Sequence, residues 1–144
     1  MPHPFFVYGT LRKDYTDTIA ASQRRHNFGP HYSLIQPYTQ FHSYAQVRGL
    51  LYNFGPYPGL IPSDDRNQFV IGELHQVTNE DALWPGLDDY EGCGPNHEKP
   101  YLFTRQLTTA TLDDGTEHSC WTYYYGRPLP STARLISSGN YIQS

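Results

Sequence analysis

The stretch LFTRQLTTATLDDGTEHSCWTYYYG, residues 102–126, decides how this chain folds. Two runs rich in Thr, branched and aromatic side chains, 102–112 and 116–126, flank Asp113-Asp114-Gly115. Asp-Gly between two such runs is a strong signal for a β-hairpin. Alternation along the second run puts Trp121, Tyr123 and Tyr125 on one face, which makes that face core, with one hydroxyl able to reach a ligand.

Upstream of the hairpin, strand signals continue. Phe69–Val77 reads as a strand between the turn-rich Pro62-Ser63-Asp64-Asp65 and Thr78-Asn79, and residues 46–53 read as another. Gly55-Pro56-Tyr57-Pro58-Gly59 reads as a rigid turn, because each Pro fixes its own φ and restricts the residue before it. At the start, Phe5-Phe6-Val7-Tyr8 forms a strand that stops at Gly9. Helix signals are confined to two places. Residues 17–25 carry a short apolar patch ending in Gln23-Arg24-Arg25, where cations suit a helix C-terminus. Asn79 is an N-cap for Glu80-Asp81-Ala82-Leu83; Pro85 is expected to break that helix and begin a second one that Gly92 closes. Residues 26–43 hold no period and read as an irregular excursion, either a lid or a surface insertion. With no repeat or linker, residues 1–144 form a single α+β domain around a curled sheet.

Composition supports a core of unusual make-up. Leu, Ile, Val and Phe supply only 30 of 144 residues, but thirteen Tyr and two Trp replace them. Each buried aromatic removes about 150 to 250 Å² from water, so few aliphatics suffice. A formal net charge of −4 lacks the positive field that nucleic acid binding requires. No apolar run reaches the roughly 18 residues of a membrane span, and Met1-Pro2-His3-Pro4 does not open a signal peptide, so the expected compartment is the cytoplasm. There Cys93 and Cys120 are expected to remain thiols.

Few residues are placed to do chemistry. On a helix turning about 100° per residue, Glu91 falls on the side of Leu87 and Tyr90 while Asp89 points away. A carboxylate drawn toward a core loses hydration, and its pKa rises from about 4.3 toward the range of a general acid/base. The plainer reading pairs Glu91 with solvent or with Arg105. Glu73, between Ile71 and His75, is the rival carboxylate and reads better as a strand-edge charge. Tyr8-Gly9-Thr10-Leu11-Arg12 follows a buried strand, where backbone N–H groups can converge on a carboxylate or oxyanion. The seven His and two Cys show no metal-ligand spacing, and no GxSxG, Walker or GxGxxG pattern occurs, so neither metal nor cofactor is expected.

Six short pieces in order carry a resemblance: Val7-Tyr8-Gly9-Thr10-Leu11-Arg12, Val47-Arg48-Gly49-x-Leu51-Tyr52, Tyr57-Pro58-Gly59-Leu60-Ile61-Pro62, Gly72-Glu73-Leu74, Leu87-Asp88-Asp89-Tyr90-Glu91-Gly92 and Trp121-x-Tyr123-x-Tyr125. The chain resembles the gamma-glutamylcyclotransferase-like family, and its Tyr-Gly-Thr-Leu is similar to the gamma-glutamylamine branch. The resemblance implies a small mixed β-barrel with flanking short helices and an enzyme releasing 5-oxoproline from a small gamma-glutamyl substrate without a cofactor. By position it implies Glu91 as the catalytic acid/base and Tyr8, Gly9, Thr10 and Leu11 as substrate-binding; Tyr125 joins them as the tyrosine of the last strand whose hydroxyl reaches a ligand. The alternative is a non-catalytic ligand-binding or regulatory module on the same fold. Phe103 stands where many relatives have Tyr, and His75 stands in place of the final Tyr of the common Gly-Glu-Leu-Tyr.

Overall fold

Phe5, Phe6 and Val7 are almost fully buried, which a three-residue strand achieves only when both of its faces are covered and both of its edges are paired. A computed structural model describing residues 2–18 and 31–143 shows how this is done. Strand β1 (Phe5–Val7) pairs antiparallel with β5 (Phe69–Val77) and, at Phe5 opposite Trp121, runs parallel to β7 (Glu117–Tyr125). β5 pairs with β2 (Thr39–Arg48), β2 with β6 (Phe103–Thr111), and β6 with β7. The ring β1-β5-β2-β6-β7 is therefore a closed mixed barrel of five strands. β4 (Pro58–Ile61), β3 (Leu50–Asn53) and β8 (Arg134–Leu135) extend the sheet outward from β7.

Alternation sorts side chains into two apolar clusters. Phe6, Tyr8, Val47, Leu60, Leu74, Cys120 and Tyr124 belong to one. Phe5, Val7, Leu83, Trp84, Leu87, Cys93, Phe103 and Tyr123 belong to the other, which packs helix α2 (Glu80–Tyr90) on the barrel. Because β1 and β7 are shared walls, successive residues such as Tyr123 and Tyr124 serve opposite clusters. Cys93 and Cys120 are both free thiols.

The hairpin forms as expected. Gly115 N–H donates to Leu112 O at 2.9 Å and Leu112 N–H to Thr116 O at 2.9 Å, with Gly115 at φ 86°, a three-residue loop whose last position favours Gly. Three expectations are corrected. Residues 39–43, assigned to an excursion, begin β2, while 32–34 and 36–38 form short 3₁₀ turns before it. The turn at residues 55–59 ends earlier: Pro58 and Gly59 open β4, since a Pro is admissible as the first residue of a strand. Pro85 does not break α2, which runs unbroken from Glu80 to Tyr90. Pro85, Asp81 and Gly86 all lie on the solvent-exposed side, so the carbonyl that loses its internal donor is not trapped in the core. Helix α1 (Lys13–Thr18) lies earlier than the helix expected at 17–25, most of which falls outside the described residues. Among the described residues no helix is long and apolar enough to cross a membrane.

Candidate active site

β1 ends at Val7, and the next four residues, Tyr8 to Leu11, turn along the wall of a cavity of about 330 Å³. Tyr90 and Glu91, at the C-terminal end of α2, line the same cavity, as do Tyr57, Pro58, Phe103 and Tyr123. The sequence segments that supply these groups are far apart, and the barrel brings them together.

Tyr8 is anchored rather than free. Its hydroxyl donates to Tyr123 O at 2.7 Å and accepts from Leu60 N–H at 3.2 Å, so it ties β7 to β4 beneath the cavity. Gly9 is required by close approach, because a Cβ there would stand 2.5 Å from Pro58 Cγ. Arg12 N–H donates to Gly9 O and His31 N–H to Thr10 O, which fixes the carbonyls of this turn. The N–H groups of Gly9, Thr10 and Leu11 have no acceptor among the described residues and remain available for an anionic ligand group.

Glu91 is the residue just past the last full turn of α2, and its N–H donates to Leu87 O at 2.9 Å. Its side chain keeps a window onto the cavity but is otherwise enclosed. Burial pushes its pKa from 4.5 up to about 8, and the neighbouring Asp88 carboxylate adds to the rise. No hydrogen-bond donor among the described residues satisfies the carboxyl group. The pairing with Arg105 weighed from sequence is not made. Asp88 takes Arg105 instead, through Nε at 2.9 Å and Nη2 at 3.0 Å, and accepts from the Tyr123 hydroxyl at 2.6 Å. Arg105 sits in the angle between Trp84 and Trp121, whose rings meet at 67°, with its guanidinium carbon 4.4 and 4.6 Å from the ring centres. This cluster turns the cation away from Glu91 and leaves an acid/base group poised near neutrality.

Other sequence candidates are placed elsewhere. Tyr125 is not on the cavity wall: its hydroxyl donates to Pro128 O at 3.4 Å, and its ring stacks on Phe54 at 4.5 Å. Tyr123 and Tyr57 provide the tyrosine wall instead. Phe103 is buried in that wall against Tyr57, at 5.8 Å. Glu73 is no strand-edge charge, since β5 has strands on both sides. It is 1% exposed and accepts from Lys13 N–H at 2.6 Å, Asp14 N–H at 2.8 Å and His75 Nε2 at 2.8 Å. That carboxylate is a structural cap on α1. Sequence reasoning missed His31, which lines the cavity beside Tyr90; its aperiodic surroundings give no local signal. Burial lowers its pKa below the usual histidine value, so the ring is neutral near pH 7. Among the described residues no three His, Cys, Asp or Glu side chains are grouped to hold a metal ion.

Comparison with known proteins agrees with this architecture. The family described as "Gamma-glutamyl cyclotransferase, AIG2-like" matches residues 5–143. An AIG2-like protein from Mus musculus is 18% identical with a TM-score of 0.67, over 96% of this chain and 87% of that one. YkqA from Bacillus subtilis is 20% identical with a TM-score of 0.65, over 98% of this chain, which spans only 40% of that protein. A solved structure named gamma-glutamyl cyclotransferase is 17% identical with a TM-score of 0.53, over 92% of this chain and 69% of the other. At these identities the likeness is one of fold. No curated protein sequence matches the chain significantly.

Proposed function

The chain belongs to the gamma-glutamyl cyclotransferase, AIG2-like family, and from that premise we propose that it releases 5-oxoproline from a gamma-glutamyl amine or amide, with Glu91 as general acid/base. The observation that carries this reading is a carboxyl group with its pKa raised to about 8 and no hydrogen-bond partner among the described residues, facing the same cavity as the amides after Tyr8.

The chemistry requires little else. The α-amine of the substrate attacks its own γ-carbonyl carbon, a C–N bond forms in the five-membered ring, and the bond to the leaving amine breaks. No protein nucleophile is needed, because holding a chain in its folded reactive shape is worth effective molarities of about 10⁵ to 10⁸ M. Glu91 in its ionised form accepts the proton that the α-amine loses, then returns it to the departing nitrogen. The N–H groups of Gly9, Thr10 and Leu11 hold the α-carboxylate or steady the developing oxyanion. The apolar wall formed by Tyr57, Phe103 and Tyr123 limits water and keeps Glu91 basic.

The decisive assay follows 5-oxoproline release from a panel of gamma-glutamyl amines. Glu91→Gln is expected to abolish it, and wild-type kcat/KM is expected to rise with pH and level off above about 8 as Glu91 ionises. Turnover that survives Glu91→Gln removes this mechanism. Binding of panel members without turnover at any pH makes the protein a binding module.

A further inference from the structure

The two halves of the cavity lie on different parts of the fold. The amide-bearing turn follows β1, Glu91 ends α2, and a reaction that uses both needs their separation fixed. His31 touches both sides. Its backbone N–H donates to Thr10 O at 2.8 Å, and its ring Nδ1 lies 3.2 Å from Thr10 Oγ1. The same ring stands 5.6 Å from the ring of Tyr90, tilted by 57°, one residue before Glu91. Tyr90 is 48% exposed, and the His31 ring packs on its covered part. His31 is itself part of the cavity wall. Thr10 is held at both its carbonyl and its hydroxyl, although the turn it belongs to has only one internal hydrogen bond, Arg12 N–H to Gly9 O.

We propose that His31 is a positioning residue, a clasp that holds the amide-bearing turn at its working distance from Glu91. The proposal rests on the cyclotransferase reading for its catalytic consequence and on the contacts alone for its structural one. Nδ1 does the clasping, so the shorter amide of Asn, which reaches the Nδ1 position, replaces it. The longer Gln, which reaches toward the Nε2 position, does not.

His31→Ala is expected to lower kcat/KM about 100-fold, mostly in kcat, the scale of loss from a misplacement of about 1 Å. His31→Asn keeps the bond to Thr10 but gives up the ring contact with Tyr90, so it is expected to recover about tenfold over His31→Ala, the worth of one neutral hydrogen bond, and to stay below wild type. His31→Gln should remain as impaired as His31→Ala. Activity of His31→Ala within threefold of wild type overturns the proposal, as does rescue by Gln equal to that by Asn. Equal impairment of all three variants with unchanged thermal midpoints also overturns it, since the ring itself would then be at the chemistry.

A second arm uses the ligand-free protein labelled with ¹⁵N. His31→Ala should shift the amide signals of Gly9, Thr10 and Leu11 together with those of Tyr90 and Glu91, and His31→Asn should restore the first group. Unmoved signals at residues 90 and 91 overturn the clasp. If wild type releases no 5-oxoproline from the panel, the functional reading has failed and this arm still decides the clasp.

Discussion

Glu91 keeps a proton that an exposed glutamate gives up. Its folded pKa of about 8 lies above its ordinary 4.5, so the folded chain binds a proton that the unfolded chain releases between those values. Stability contributed by this group is therefore present below pH 4.5, falls as pH rises, and is fully lost above about 8. Glu91→Gln removes that loss. Its stability in urea should match wild type near pH 4.5 and exceed it by on the order of 3 kcal/mol at pH 9, less than the full shift implies because the cavity admits solvent. A gap that does not grow with pH contradicts the burial of Glu91. Asp88 makes a complementary test, because its charge is the second cause of the shift. Asp88→Asn should move the carboxyl titration of Glu91, followed by ¹³C NMR, to lower pH.

Helix α2 shows how local rules and packing divide the work. Asn79 accepts from Ala82 N–H at 3.2 Å, as its sequence position predicts, and Asn79→Ala should lower stability by about 1 kcal/mol in urea unfolding. Pro85 was misleading because its penalty depends on which side of the helix meets water, and that is decided by Leu83, Trp84 and Leu87 packing on the barrel. β4 was hidden for a similar reason: Pro58 and Gly59 are turn residues by type, yet pairing with Asn53 and Tyr52 makes them strand. Elements carried by short-range chemistry, such as β5 and the hairpin, were legible. So was the side of α2 on which Glu91 lies. The partners of Arg105, Tyr8 and His31 were not, since each is fixed by closure of the sheet. Helix α1 has only six residues and leans on Glu73 from β5 for its first-turn N–H groups. Glu73→Ala should cost about 3 kcal/mol in urea unfolding and remove α1 helicity, because the part-buried N–H groups of Lys13 and Asp14 and the buried His75 ring lose their acceptor.

The barrel closes only when β1 meets β7. Tyr8 bonds Tyr123, 115 residues away, and β1 lies between β5 and β7. Such long-range pairing must precede any cavity, so the site and the closed sheet should be lost together. Gly72 offers a test: a Cβ there would run into Val7 O and the Phe6 ring. Gly72→Ala should therefore cost about 1 to 3 kcal/mol and lower the thermal midpoint and 5-oxoproline release in step. The two thiols supply a way to watch this closure. Cys120 sits at 0% exposure in one apolar cluster, its pKa pushed up to about 12 by burial, and Cys93 sits in the other, raised by burial and by Asp88. Since only a thiolate reacts, neither is a target for alkylation until its own cluster opens. A timed pulse of iodoacetamide followed by peptide mass analysis thus reads two clocks already present in the natural chain. Equal labelling rates at both cysteines would mean that helix layer and barrel breathe as a single cooperative unit, and faster labelling at Cys93 would mean that the layer bearing Glu91 loosens first.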